Sequence, residues 1–147
     1  MARNSDPTPP TPDPMTDREG RLNAFSWLTF FNRIAAGDTG VAWTPTFVSL
    51  TETGTPTITG YYYKISQRLA YFRVKVTPAT DTSAVAGTTY ISNFPLVINQ
   101  DGQCSASAGV AGSLEVGSVD ADTGRIYVPA WTAVTVPVTI TGTIEAR

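Results

Sequence analysis

The chain has 147 residues, a formal net charge of −2, no histidine and one cysteine, Cys104. This length is enough for one domain with its own hydrophobic core, and the few scattered basic residues provide no electrostatic surface for nucleic acid or an anionic membrane. The residue set excludes Ser-His-Asp and Cys-His catalysis, an intrachain disulfide and a cysteine-histidine zinc shell, and there is no glycine-rich phosphate loop.

The composition favours strands and turns over helices, because threonine, glycine, valine and proline are frequent while lysine, glutamate and leucine are scarce. The first residues contain no apolar stretch of the kind found in secretory signals, and no later run approaches the length of a membrane span. We therefore expect a soluble protein made in a cytoplasm, with no membrane insertion.

Residues 1–20 contain five prolines among threonine, aspartate and serine, and almost nothing apolar to bury. Proline fixes φ and removes a backbone donor, so the segment is predicted to be extended, without a core of its own. We interpret residues 1–20 as an anchoring arm.

Residues 21–37 carry apolar side chains spaced mostly by three and four residues, which predicts an amphipathic helix beginning near residue 23 and ending before residue 37. A helix so rich in aromatic residues is too apolar to remain in water. It is predicted to pack on its own domain, on copies of itself or on a larger partner. The residues assigned to oligomerisation or anchoring are Leu22, Phe25, Trp27, Leu28, Phe30, Phe31 and Ile34.

Residues 38–147 change to strand patterns. The segment "VAWTPTFVSL" predicts a first strand, which Pro45 places near a sheet edge. The segments "TPTITGYYYKIS" and "RLAYFRVKV" predict a hairpin joined by Ser66 and Gln67 alone. Alternation in the second segment predicts a buried face of Ala70, Phe72, Val74 and Val76, opposite a wet face of Tyr71, Arg73 and Lys75.

Further strands are predicted in "TTYIS", "PLVIN", "CSASAGV", "SLEVGSV" and "RIYVPA", with turns at 100–102 and 122–124. The segment "WTAVTVPVTITGTIEA" is predicted as one final strand with Val134, Val136, Val138 and Ile140 on the same side. About eight strands at short intervals predict an all-β fold, an antiparallel β-sandwich of the jelly-roll type, preceded by the short helix and the arm.

Two acidic patterns are candidate sites. The segment "SVDADTGR" (118–125) has the Asp-x-Asp-x-Gly rhythm of calcium loops, but it lacks the later glutamate of an EF-hand and also suits a hairpin turn. A glycosidase would need two facing carboxylates, such as Glu115 with Asp120 or Asp122. Acids at turns commonly serve turn geometry and solubility, so we predict a protein that is not an enzyme and that uses no cofactor or metal.

The tyrosines and tryptophans outnumber what a small core can hold, and alternation places Tyr61 and Tyr63 on the face opposite Tyr62. Exposed rings of this kind occur on sugar-binding and protein-binding surfaces, and the alternative is that they seal the sandwich against a neighbouring subunit. The residues predicted to lie at a surface or interface are Tyr61, Tyr63, Tyr71, Tyr127 and Trp131.

The segments "AWTPTFVSL", "TITGYYYKISQRLAYFRVKV", "NFPLVIN", "GRIYVPA" and "VTITGTIEA", in this order, resemble the small jelly-roll domain of bacteriophage tail fibres, tailspike tips and capsid appendages. The upstream "DREGRLNAFSWLTFFNRIAAGDTG", with its W-x-x-F-F motif, is similar to a short helical segment that precedes such domains in small phage virion proteins. The resemblance spans roughly residues 17–146 and consists of residues that mark a fold, without a catalytic signature.

This resemblance implies a homotrimer whose N-terminal arms contact other virion proteins of the tail, collar or capsid. The expected function is a structural one in the virion, as a short tail fibre or collar fibre synthesised in the host cytoplasm, with outer loops that are candidates for contact with a host glycan or protein. The chain departs from longer fibres in having no shaft. A capsid decoration protein, a carbohydrate-binding module and a tailspike depolymerase remain as alternatives.

Overall fold

The computed structural model describes residues 40–108 and 114–146. The predicted arm and the predicted helix, including all seven residues assigned to oligomerisation, lie outside the described residues. Every regular element in the described part is a strand, and all the strand pairs are antiparallel. The all-β class and the antiparallel pairing predicted from the sequence are therefore confirmed.

The described residues form twelve strands in two sheets. They are β1 (Val41–Trp43), β2 (Phe47–Val48), β3 (Thr51–Thr53), β4 (Thr57–Lys64), β5 (Leu69–Thr77), β6 (Asp81–Ala84), β7 (Tyr90–Ile91), β8 (Gly102–Ala108), β9 (Leu114–Asp120), β10 (Arg125–Tyr127), β11 (Trp131–Val134) and β12 (Val138–Glu145). The larger sheet has the order β1-β4-β5-β12-β8-β9-β10-β7-β2, and the smaller has the order β11-β6-β3.

The two edge strands of the nine-stranded sheet, β1 and β2, are consecutive in the chain and are joined only by Thr44–Thr46. A linker of this length spans at most about 14 Å between the flanking Cα atoms. The two edges must therefore come close together, and the sheet curls into a half-barrel. Pro45, predicted to lie near an edge, sits between the two edge strands because it cannot donate a ladder hydrogen bond.

Asn93, two residues after β7, holds this linker through its side-chain amide. The backbone N–H of Thr46 donates to Asn93 Oδ1 at 2.7 Å, and Asn93 Nδ2 donates to the Thr44 carbonyl at 2.8 Å. The N–H of Ser92 adds a backbone bond of 3.0 Å to the Thr46 carbonyl. We call these three bonds the Asn93 clasp. They fasten the linker to the β7–β2 side of the sheet.

The core lies against the inner face of the curled sheet. Strand β5 alternates as the sequence predicts: Ala70, Phe72, Val74 and Val76 are all buried, and this part of the prediction is confirmed. The three-stranded sheet contributes further buried residues to the same core, namely Thr82, Ala84, Trp131 and Ala133. The two sheets thus share one cluster of buried side chains.

Trp131 belongs to that core and is only 8% exposed, so its prediction as a surface aromatic is wrong. Its ring lies edge-on to Phe47, with the centroids 6.3 Å apart. Its indole Nε1 donates to Thr82 Oγ1 at 3.3 Å, which satisfies a polar group that burial would otherwise leave unpaired. With its N–H hydrogen-bonded, Trp131 can be buried between the sheets without leaving an unpaired polar group.

The C-terminal segment forms two strands and not the single strand predicted. β11 ends at Val134, Thr135 adopts φ 58°, and β12 begins at Val138 in the other sheet. This break shifts the alternation by one residue, so Ala133 and Val138 are buried while Val134 is 59% exposed. The prediction that Val134 shares a face with Val138 and Ile140 is therefore wrong.

Other local predictions also differ from the structure. The β4–β5 connection is the four-residue segment 65–68, in which Ile65 N–H and Ser66 N–H both donate to the Leu69 carbonyl. The segment "PLVIN" forms no strand and contributes only one isolated bridge, between Ile98 and Ala146. Strands β3 and β6 were not predicted. The division into a nine-stranded and a three-stranded sheet does not by itself establish a jelly-roll sandwich, which stays a prediction.

Candidate functional site

The outer face of the β4–β5 hairpin brings together aromatic and cationic side chains. In the β4–β5 ladder Tyr61 lies opposite Arg73, and Tyr63 lies opposite Tyr71. Residues directly opposite in an antiparallel ladder have Cβ atoms about 4.5–5.5 Å apart. Because Tyr62 points inward, between Tyr61 and Tyr63, the two outer rings are neighbours on one surface.

These side chains line a shallow depression of about 240 Å³ formed by Thr59, Tyr61, Tyr63, Arg73 and Lys75. Tyr61 is 42% exposed, and both cations are exposed. Tyr63 is braced by Tyr71, whose ring centroid lies 6.0 Å away. We call the five lining residues together with Tyr71 the tyrosine–cation face.

The two cations of this face have uncharged neighbours in the sheet. Arg73 lies between Tyr61 on β4 and Thr141 on β12, and Lys75 lies between Thr59 and Thr139. No carboxylate therefore stands opposite either cation in the two flanking strands. The face carries positive charge that its own ladder does not neutralise, on a chain whose net charge is −2.

The strand beneath this face is held firmly from the inside. Phe72 and Val74, the inner neighbours of Arg73, are completely buried. Phe72 packs over Gly142 on β12 so closely that a Cβ at residue 142 would lie 2.6 Å from its ring. Packing of this kind fixes the backbone from which Tyr71, Arg73 and Lys75 project.

Tyr127, another predicted surface aromatic, lies in a different cluster on β10 and β7. Its ring centroid is 5.4 Å from that of Tyr90, and Arg125 Cζ lies 4.5 Å from the Tyr90 centroid. Arg125 Nη1 also donates to the Tyr127 hydroxyl at 3.3 Å, and this bond raises the pKa of the guanidinium. The Arg125 cation is therefore in contact with both rings of this cluster.

The acidic turn predicted from "SVDADTGR" is a turn stabilised by Asp120. Thr123 Oγ1 donates to Asp120 Oδ2 at 2.7 Å, and the N–H groups of Asp122 and Thr123 donate to Oδ1. These bonds lower the pKa of Asp120, with the Thr123 side chain as the largest cause. Within residues 40–108 and 114–146 there is no cluster of three or more metal-ligating side chains.

The carboxylates considered for glycosidase chemistry do not face each other. Glu115 and Asp120 are five residues apart on the extended strand β9, which separates them by about 17 Å and directs them to opposite faces of the sheet. Asp122 lies in the turn beyond the end of that strand. Acid–nucleophile and acid–base pairs in glycosidases are about 5–9.5 Å apart. These residues therefore do not form such a pair.

Cys104 is buried, and its thiol lies 3.5 Å from the Tyr127 carbonyl. Burial raises the pKa of the thiol to about 11, although a backbone hydrogen bond from Gly117 partly opposes the shift. A thiol needs to ionise in order to act as a nucleophile. Cys104 is accordingly a packing residue on β8, beside Gly142 of β12.

Sequence reasoning identified the three tyrosines of the face but did not assign Arg73 and Lys75 to a site. Both were recognised as residues on the wet side of β5. The sequence did not reveal the register of the hairpin, which places Arg73 opposite Tyr61. The four-residue connection determines that register, and the sequence indicated a two-residue one.

Comparison of the chain with protein-family models, with curated proteins and with solved structures finds no match. In the part of the chain that the structure describes, no helix has the length and apolarity required to cross a membrane.

Proposed function

We propose that this protein is a non-enzymatic structural component of a bacteriophage virion, a trimeric short tail fibre or collar fibre anchored by its N-terminal arm. The observation that carries the proposal is the junction at residues 40 and 41. A β domain with its own core begins there, directly after a stretch of sequence that is proline-rich at first and then strongly apolar.

The division of the chain supports separate roles for the two parts. Contacts divide the chain into Met1–Gly40 and Val41–Arg147. Strands of both sheets in the second unit contribute buried side chains to one cluster. The β domain therefore has a hydrophobic core of its own. We propose that the apolar side chains of residues 21–37 associate between copies of the chain, since a symmetric trimer would bury three copies of them together.

The surface of the β domain also suits a part of an assembly. Strand β12 presents Thr139, Thr141 and Thr143 on its outer side, beside Lys75, Arg73 and Tyr71 of β5, which gives the sheet a polar outer surface. A jelly-roll sandwich, with the three-stranded sheet covering part of the half-barrel, is the finer fold that we propose for this domain.

Two alternatives remain beside the fibre. A capsid decoration protein would use the same arm and the same β domain, so it differs only in its position on the particle. A carbohydrate-binding module is favoured by the exposed ring of Tyr61 beside Arg73. A tailspike depolymerase is not supported, because the carboxylates of Glu115 and Asp120 lie too far apart to act as a catalytic pair.

The test is to locate the chain on a particle. Mass spectrometry of purified parent particles should find the protein, and a labelled chain should appear in cryo-electron micrographs with a copy number that follows the tail symmetry. A copy number that follows the capsid lattice would favour the decoration protein. Absence of the chain from purified particles would contradict the proposal.

A further inference from the structure

We propose that the tyrosine–cation face binds an oligosaccharide that carries carboxylate groups, with a sugar ring on Tyr61 and a carboxylate held by Arg73 and Lys75. In a virion appendage, such a site would contact an acidic surface polysaccharide, and only this biological role rests on the proposed function. The binding itself depends on the β domain alone.

The aromatic part of the face offers exposed ring surface to a sugar. Tyr61 is exposed, while its neighbour Tyr63 is held by ring contact with Tyr71 at 6.0 Å. A rigid, exposed ring provides contact area at a small cost in conformational entropy. The hydroxyls of Thr59 and the tyrosines line the same depression and can exchange hydrogen bonds with sugar hydroxyls.

The cationic part explains why the sugar should be acidic. Arg73 and Lys75 are two residues apart on one strand, so both project from the same face at a separation of about 7 Å along β5. Their ladder neighbours are tyrosine and threonine, so a bound carboxylate would not displace an internal partner. Hydrogen bonds between a guanidinium and a carboxylate are charge-assisted and can be bidentate.

The size and charge of the face favour this ligand over two others. The depression holds about 240 Å³, which fits one unit of a chain lying across an open surface. Two cations on a chain of net charge −2 form too small a basic area for nucleic acid. Two-fold association of this face would place Arg73 and Lys75 near their own copies, and like charges repel.

The first experiment titrates the full-length protein with tetragalacturonate and, separately, with its fully methyl-esterified form, followed by isothermal calorimetry and amide NMR. The ester keeps the sugar rings and removes the charge. We expect the acid to bind and to shift amides of β4 and β5, and the ester to bind at least about tenfold more weakly. Raising the ionic strength should weaken binding of the acid. Equal binding of acid and ester would overturn the proposal.

The second experiment uses variants with matched controls. The double substitution Arg73→Gln and Lys75→Gln should lower the affinity at least about tenfold, whereas Arg68→Gln, which removes an exposed cation from the β4–β5 connection, should leave it unchanged. Tyr61→Ala should weaken binding, and Tyr61→Phe should retain it because stacking needs the ring and not the hydroxyl.

Two further outcomes would overturn this inference. Inorganic phosphate that competes as well as the oligosaccharide would reveal a general anion site, and a change of oligomeric state in Tyr61→Ala, measured by light scattering, would reveal an interface between copies. Because all of these measurements use the protein in solution, a negative result would leave the virion proposal standing, and absence from particles would leave the binding result standing.

Discussion

Gly60 lies directly opposite Trp43 in the β1–β4 ladder, and the indole ring covers it. A Cβ at residue 60 would come within 2.8 Å of Trp43 Cε3 and 2.7 Å of Pro45 Cγ. The ring cannot easily move away, because it is in edge contact with Phe94 and Tyr62, at centroid distances of 5.4 and 6.3 Å. The glycine in the middle of β4 is thus required by the packing of the first strand.

Gly60→Ala is therefore expected to lower the free energy of unfolding by about 1–3 kcal/mol through overpacking. The measurement is urea denaturation followed by tryptophan fluorescence. Gly102→Ala is the matched control, since a Cβ there meets nothing closer than 3.7 Å and should cost little. Equal midpoints for the two variants would show that Trp43 does not lie over Gly60.

Asn93→Ala removes both side-chain bonds of the Asn93 clasp and leaves Thr46 N–H and the Thr44 carbonyl to water. Because water can replace the lost partners at this exposed site, we expect the free energy of unfolding to fall by only about 1–2 kcal/mol. Asn99→Ala is the control, since Asn99 contributes only its backbone N–H, to the Glu145 carbonyl. Amide exchange at residues 44 and 46–48 should increase in Asn93→Ala alone; equal exchange rates in the two variants would contradict the clasp.

Val138→Thr and Val134→Thr make the same chemical change on the two sides of the break at Thr135. Val138 is fully buried, so replacing one of its methyl groups by a hydroxyl should cost about 1–3 kcal/mol. Val134 is mostly exposed, and its substitution should change the free energy of unfolding by less than about 0.5 kcal/mol. Similar losses in both variants would support one continuous strand in place of β11 and β12.

The buried thiol of Cys104 predicts a dependence of stability on alkaline pH. Its pKa in the folded chain is raised to about 11, above that of an unfolded cysteine, so the protonated thiol favours folding. This contribution is complete below the unfolded pKa, about 8.5, and is lost as the pH rises through about 11. Denaturation at several pH values should show a steeper loss for the natural chain than for Cys104→Ala. Parallel curves would exclude the effect.

The same thiol should react slowly with a disulfide reagent at neutral pH while the protein is folded, and quickly once it is unfolded in guanidinium. Cys104 is the chain's one cysteine, so the signal has a single source. Rapid modification of the folded protein would contradict the burial.

Substituting Trp27, Phe30 and Phe31 together by serine tests the proposed association of residues 21–37. We expect light scattering to show loss of the trimer, while far-UV circular dichroism keeps its strand signal because the β domain has its own core. Thr29→Ala with Asn32→Ala, polar positions in the same stretch, should leave the oligomer intact. An unaltered oligomer in the serine variant would contradict this role for the stretch.

The sequence predicted β5 well because one physical effect dominates it. The strand is central, covered on one face and wet on the other, so its alternation follows burial without interruption. The outer tyrosines of β4 follow from the same rule. The fold class could be predicted for the same reason, since period-two patterns recur along the chain.

The elements that could not be predicted depend on local contacts and backbone angles that the hydrophobic pattern does not show. β6 reads Asp-Thr-Ser-Ala, and its buried Thr82 is polar, so its burial depends on the bond from Trp131 Nε1 that only the tertiary structure reveals. Thr135 takes a positive φ that a threonine rarely adopts, so nothing in the sequence marks the break before β12. Alternation alone could not show that β11 belongs to the three-stranded sheet and β12 to the nine-stranded sheet.

The route of the chain from β1 to β2 has a mechanical consequence. Tension transmitted to Gly40 would act first on β1, a strand of three residues that pairs only with β4 among the described strands. Once β1 peeled away, the pull would reach the opposite edge of the sheet through Thr44–Thr46. We expect the amide of Asn93 to set the force at which the half-barrel then opens.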